Sequence, residues 1–134
     1  MLQAAYGGLI GVESAAAAAW AGRRGRGPVD PGTLTLVVKT FERPAVLRRM
    51  LASVRKVFAG PVVVADDSRT PGRVDDPRTT VLALPFDTGI GAGRNALLDA
   101  VETPYVFMTD DDMVLLPDFD VTRAIDYLER NPQV

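Results

Sequence analysis

Three consecutive carboxylates, Asp110-Asp111-Asp112, follow the short apolar run 104–108 after Thr109. Held so close together they repel one another, and a divalent cation would remove that cost. Alternate residues of an extended segment share a side. Asp110 and Asp112 can therefore address one ion or its bound waters, while Asp111 points elsewhere. Mg²⁺ or Mn²⁺ takes one or two protein carboxylates and completes its shell with phosphate oxygens and water. The same three residues also suit a solvated acidic turn, and their spacing alone does not separate the two.

Three further segments carry chemistry. Asp66-Asp67-Ser68 follows the apolar run 61–65 and could accept hydrogen bonds from a nucleobase N–H or ribose hydroxyls; it is equally a common turn former. The run Gly89-Ile90-Gly91-Ala92-Gly93-Arg94-Asn95 lets backbone approach a ligand and leads into a helix, whose free amides and positive end suit a phosphate. Arg94 could neutralise a diphosphate. This run has neither the dinucleotide-binding spacing nor the Lys-Ser/Thr pair of a P-loop. Thr40-Phe41-Glu42-Arg43 follows the apolar run 33–39.

Composition narrows the chemistry. The chain has no Cys and no His. Disulfides, thiolate nucleophiles, Cys/His zinc sites and Ser-His-Asp triads are excluded together. A bound metal must have oxygen ligands, as Mg²⁺, Mn²⁺ or Ca²⁺ do. Acid–base work falls to carboxylates, Tyr, Lys or water. A net charge of −2 gives no global attraction to nucleic acid or anionic membrane, so no nucleic-acid partner is expected. With 134 residues, 47% apolar and 24% charged, the chain reads as one soluble domain or part of one. The absence of Cys fits a cytoplasmic protein.

The elements that must position these residues follow from hydrophobic pattern. Strands are expected at 33–39, 61–65, 79–84 and 104–108, each short, apolar and rich in β-branched residues. Helices are expected at 44–58, 94–101 and 119–130. Pro44 suits the first turn of its helix. Gly60-Pro61 ends that helix, and Arg48, Arg49, Arg55 and Lys56 face outward. Alternating fully apolar strands with helices argues for an α/β fold: a mostly parallel sheet with helices on both faces. Ligands in such sheets sit outside the carboxyl ends of the strands, where Thr40, Asp66, Asp67 and Asp110 to Asp112 all fall. Residues 1–32 form an Ala/Gly/Arg-rich extension and linker before a domain at 33–134. Gln3, Glu13, Ser14 and several glycines interrupt its apolar stretch, so no integral membrane segment is expected. The charges of Arg23, Arg24 and Arg26 follow that stretch, whereas a secretory signal carries them before it.

The order of these motifs resembles the nucleotide-binding half of family-2-like GT-A glycosyltransferases. It is especially similar to the ganglioside-type β-1,4-N-acetylgalactosaminyltransferases. Those enzymes carry, in order, the motifs that here read Lys39-Thr40-Phe41, Ala65-Asp66-Asp67-Ser68, Ala92-Gly93-Arg94-Asn95 and Asp110-Asp111-Asp112. The resemblance covers 33–116. It implies a GT-A, Rossmann-like half-domain with Thr40 and Arg43 beside the nucleotide and Asp66 or Asp67 on the uracil or ribose. Gly91, Arg94 and Asn95 would lie along the nucleotide and its diphosphate. Asp110 and Asp112 match the outer positions of the Asp-x-Asp motif, which in that family holds the ribose and a Mn²⁺ or Mg²⁺ ion; by the same resemblance Asp110 and Asp111 would also contact the nucleotide-sugar. The implied reaction moves a sugar, a hexose or N-acetylhexosamine, from a UDP-sugar to an acceptor hydroxyl on a glycan, lipid or protein. The metal would act as a Lewis acid on the departing diphosphate. In the family, acceptor contacts and the general base of inverting members come after the Asp-x-Asp motif. Only 22 residues follow Asp112, so the resemblance implies a truncated half whose base lies beyond Val134.

Three alternatives remain open on the residues. A haloacid-dehalogenase-type phosphatase fits 106–114 but needs a later Lys, and no Lys follows Asp112. A sugar nucleotidyltransferase would carry its glycine-rich signature after the first strand, where Thr40-Phe41-Glu42-Arg43 stands. A non-catalytic nucleotide-sugar-binding module would keep the motifs without turnover.

Overall fold

In the computed structural model, the described residues are 31–134. The extension expected at 1–32 lies outside them apart from a 3₁₀ turn at Pro31–Thr33 that leads into the sheet.

Strands β1 (Leu34–Thr40), β2 (Val62–Asp66), β3 (Thr79–Ala83) and β4 (Tyr105–Asp110) alternate with helices α1 (Pro44–Val57), α2 (Ile90–Asp99) and α3 (Thr122–Arg130). The strands form one sheet in the order β3-β2-β1-β4, and every pairing is parallel. The expected α/β architecture is therefore present. Side-chain alternation along β1 and β2 feeds two cores. Leu34, Leu36, Val38, Val62 and Val64 pack with Leu47, Met50, Leu51 and Val54 of α1 and Ile125 of α3. Val37, Val63 and Ala65 face the other way, onto Leu97 of α2. Each such side chain contributes about 1.5–3 kcal/mol when fully buried, so these two layers set the strand positions. On β4 only one face is covered: Tyr105 and Phe107 join the α1 core, while Val106 and Met108 are exposed.

Three details depart from the sequence reading. Helix α2 starts at Ile90, not at Arg94, and takes in Gly91 and Gly93. Gly89, at φ 88°, forms its cap and Gly93 N–H bonds Gly89 O at 3.0 Å. Helix α3 starts at Thr122, because the Asp120 carboxylate accepts the Thr122 amide at 2.8 Å and turns the chain just before it. Arg55 does not face outward. It binds the Asp76 carboxylate, Gly60 O (2.7 Å), Arg78 O (3.0 Å) and Thr79 Oγ1 (2.9 Å), locking the end of α1 to the β2–β3 connection. Hydrogen bonds from Thr79, Arg78 and Arg55 hold the Asp76 carboxyl well below the usual carboxylate range despite partial desolvation.

Candidate nucleotide-diphosphate site

Strand register sets the site. Thr40 lies opposite Asp66, and Lys39 lies opposite Asp110. The carboxyl ends of β1, β2 and β4 therefore finish at one level, and their loops share a rim.

At the end of β4 the chain turns, and the three carboxylates separate by exposure. The Asp110 and Asp112 side chains are 57% and 56% exposed, while Asp111 is 1% exposed. Thr40 Oγ1 donates to Asp111 Oδ2 at 2.7 Å. Asp111 Oδ1 lies 2.7 Å from Arg43 Nη2, a charge contact without hydrogen-bond geometry. Arg43 Nη1 also stands 3.7 Å from Asp112. On the other side Arg94 Nη2 donates to Asp110 Oδ1 at 3.2 Å. Thr40, Arg43, Arg94 and the three aspartates thus form one group. Gly91 and Asn95 are exposed near the start of α2, and nothing lies within 4 Å of where a Gly91 side chain would begin.

Asp66 and Asp67 are placed differently from a free ligand-facing pair. Both are buried. Asp66 accepts the Ser68 amide at 2.9 Å and the Gly72 amide at 2.8 Å, which closes the loop after β2. Asp67 accepts the Gly89 amide at 2.9 Å and pairs with Lys39. Burial alone would raise the Asp67 pKa, but hydrogen bonds from Lys39 and Gly89 and the lysine charge outweigh it and hold the carboxyl below its usual value. Ser68 in turn accepts the Glu42 amide at 2.6 Å, and Glu42 Oε1 accepts the Arg69 amide at 2.6 Å. These bonds hold Glu42 at φ 54°, a left-handed conformation uncommon outside glycine.

Two features of the rim had no role assigned from the sequence. Phe41 and Phe86 stack at 5.6 Å and are both exposed, with the Arg69 guanidinium 4.3 Å from the Phe86 ring. Their signal was position, since each follows the end of a strand closely. The second is Lys39, one of only two lysines in the chain and the only charged residue of β1.

Among the described residues no three carboxylates gather into an all-protein metal cage. The donor set instead fits an ion that takes one or two carboxylates and completes its shell from substrate: Asp110 and Asp112 present exposed oxygens, and the buried Asp111 Oδ1 lacks a hydrogen-bond donor. No helix among the described residues is long and apolar enough to cross a membrane.

Comparison with known proteins shows the family and the fold. Over 100 residues the chain is 39% identical to β-1,4 N-acetylgalactosaminyltransferase 1 of Rattus norvegicus, covering 74% of this chain and 19% of that protein. The human β-1,4 N-acetylgalactosaminyltransferase 1 is 40% identical over the same shares. Mouse β-1,4 N-acetylgalactosaminyltransferase 2 is 37% identical over 109 residues, 75% of this chain and 21% of that protein. The chain thus spans about a fifth of the length of these relatives. Among solved structures, a mannosyltransferase of Pyrobaculum calidifontis in complex with GDP-Man and Mn²⁺ superposes with a TM-score of 0.62 at 21% identity, covering 95% of this chain and 42% of that one. S. aureus TarS (residues 1–349) gives 0.58 at 20% identity, covering 75% and 33%. At that identity the two structures speak to the fold, which is the GT-A glycosyltransferase fold. Residues 35–134 match Glycosyl transferase family 2, and with the parallel sheet and the sequence relatives in agreement, the chain belongs to that family.

Proposed function

We propose that residues 33–134 form the donor half of a glycosyltransferase that binds a UDP-sugar at the rim of the sheet and passes its sugar to an acceptor hydroxyl with a divalent metal. The observation that carries this reading is the convergence of Arg43, Arg94, Asp110 and Asp112 around the buried Thr40–Asp111 hydrogen bond. Two guanidinium groups and two exposed carboxylates suit a metal-bound diphosphate, because each sign of charge meets its complement there. Asp110 and Asp112 would hold Mn²⁺ or Mg²⁺. That ion supplies charge stabilisation to the departing diphosphate. Arg43 and Arg94 would turn from Asp112 and Asp110 to the phosphate oxygens when the metal takes the carboxylates. Asp111, fixed by Thr40, keeps the base of this arrangement in place. Asp66 and Asp67 are assigned the shaping of the loops that receive uracil and ribose, with Gly91 and Asn95 lining the diphosphate side.

The names of the relatives favour an N-acetylhexosamine as the sugar, and the complex of the mannosyltransferase neighbour with GDP-Man and Mn²⁺ favours metal use. We assign no general base to the chain's own carboxylates. Asp126, on α3, pairs with Arg130 at 3.7 Å within its own helix. The acceptor is a hydroxyl on a glycan, lipid or protein. A cytoplasmic setting belongs to the same proposal and rests on the cysteine-free composition. A second reading, a nucleotide-sugar-binding module without turnover, is favoured by one observation: the chain spans about a fifth of its relatives. Transfer assays with UDP-GalNAc, UDP-GlcNAc and UDP-glucose plus Mn²⁺ separate the two. Sugar transfer establishes the enzyme, UDP binding without transfer leaves the module, and absence of UDP binding overturns both.

A further inference from the structure

Lysine in an apolar strand is costly unless its charge is paired. The Lys39 side chain is 9% exposed; its ammonium pairs with the buried Asp67 carboxylate and donates to Thr40 O at 2.8 Å. The other Asp67 oxygen accepts the Gly89 amide at 2.9 Å, and Gly89 is the cap of α2. The stem of Lys39 also lies across Gly93. A Cβ on Gly93 would stand 2.5 Å from Lys39 Cε and 2.6 Å from Cδ, closer than such atoms approach. One lysine therefore holds the first turn of α2 at two points: by charge at Gly89, through Asp67, and by contact at Gly93. The cap residue Gly89 has no side chain of its own to bond that turn, and the first amides of a helix have no intrahelical partner. Arg94 follows directly and reaches Asp110.

A buried ion pair adds little net stability over an apolar pair of the same volume, but it penalises every arrangement that separates the charges. We propose that Lys39 is a positioning residue for the diphosphate. Acting through Asp67 and Gly93, it sets the height of the α2 N-terminus and of Arg94 against Asp110 without touching the nucleotide. This inference rests on the donor-site reading given above.

The test is an NMR titration of the chain with Mg²⁺, using UDP and uridine as separate probes. Two variants are compared with the unaltered protein. Gly93→Ala keeps both charges and displaces the lysine stem. The variant Lys39→Met leaves Asp67 in place, removes the ammonium while nearly keeping the length of the stem, and covers the case in which Gly93→Ala does not fold. Each folded variant is expected to lose about tenfold or more in UDP affinity and to exchange the Gly89 amide faster. Uridine affinity should change less than about twofold, because uridine has no diphosphate to misplace. Unchanged UDP affinity in a folded variant overturns the inference, as does an equal loss for UDP and uridine. If the unaltered protein itself binds UDP no better than uridine, the donor-site reading fails first, and that result is distinct from either.

Discussion

Thr40 and Asp111, 71 positions apart in the chain, share a buried hydrogen bond of 2.7 Å that joins the end of β1 to the turn after β4. The central aspartate of the acidic run is thereby removed from solvent, and its two neighbours are left facing out. That single bond separates one buried carboxylate from two exposed ones in a run of three identical residues.

Replacing Thr40 by Val keeps shape and removes the donor. Asp111 then retains only the Arg43 charge contact. A buried acceptor left without its donor costs about 1–3 kcal/mol, so thermal or urea unfolding of Thr40→Val should show a loss of that size. Stability equal to the unaltered protein would mean that Asp111 is hydrated rather than buried.

Arg94→Ala should behave in the opposite way. Its pair with Asp110 is exposed on both sides, and exposed pairs contribute about 0.2–1 kcal/mol. Unfolding should barely change, while UDP affinity measured by calorimetry should fall by about tenfold, the scale of one lost charge-assisted hydrogen bond. A variant that loses stability but keeps UDP affinity would place Arg94 in the scaffold instead.

Much of this arrangement was legible from pattern. The apolar runs located all four strands, and the carboxyl-end rule located the rim. The start of α2 was not, because a glycine-rich stretch reads as a turn until the Lys39 stem is seen lying on Gly93, a contact between residues distant in sequence. Asp66 and Asp67 present the same difficulty. A carboxylate after a strand looks alike whether a ligand or the amides of Ser68, Gly72 and Gly89 satisfy it. Exposure of Phe41 and Phe86 beside Arg69 depends on how three loops meet, which local pattern does not encode.

The pH response follows from Asp67. Its pKa is lower in the folded protein than that of an ordinary aspartate. A depressed carboxyl pKa stabilises the fold at pH values above the unfolded value of about 3.9, and that stabilisation is lost as pH falls through the folded value. Protection of the Gly89 amide from exchange should therefore be level from neutral pH down to about pH 5 and decline only below about pH 4. A midpoint for that decline above about pH 5 would show that the carboxylate is not held in its charged form by Lys39 and Gly89.

The most direct measurement is calorimetric titration with UDP, with and without Mn²⁺, on the unaltered chain and on Asp112→Ala. The Asp112 carboxylate is exposed, so the substitution should leave the fold intact. Mn²⁺ should strengthen UDP binding about tenfold or more in the unaltered chain and have little effect in Asp112→Ala. UDP affinity that is equal with and without metal, and unchanged by the substitution, would contradict a metal-bridged diphosphate at this rim.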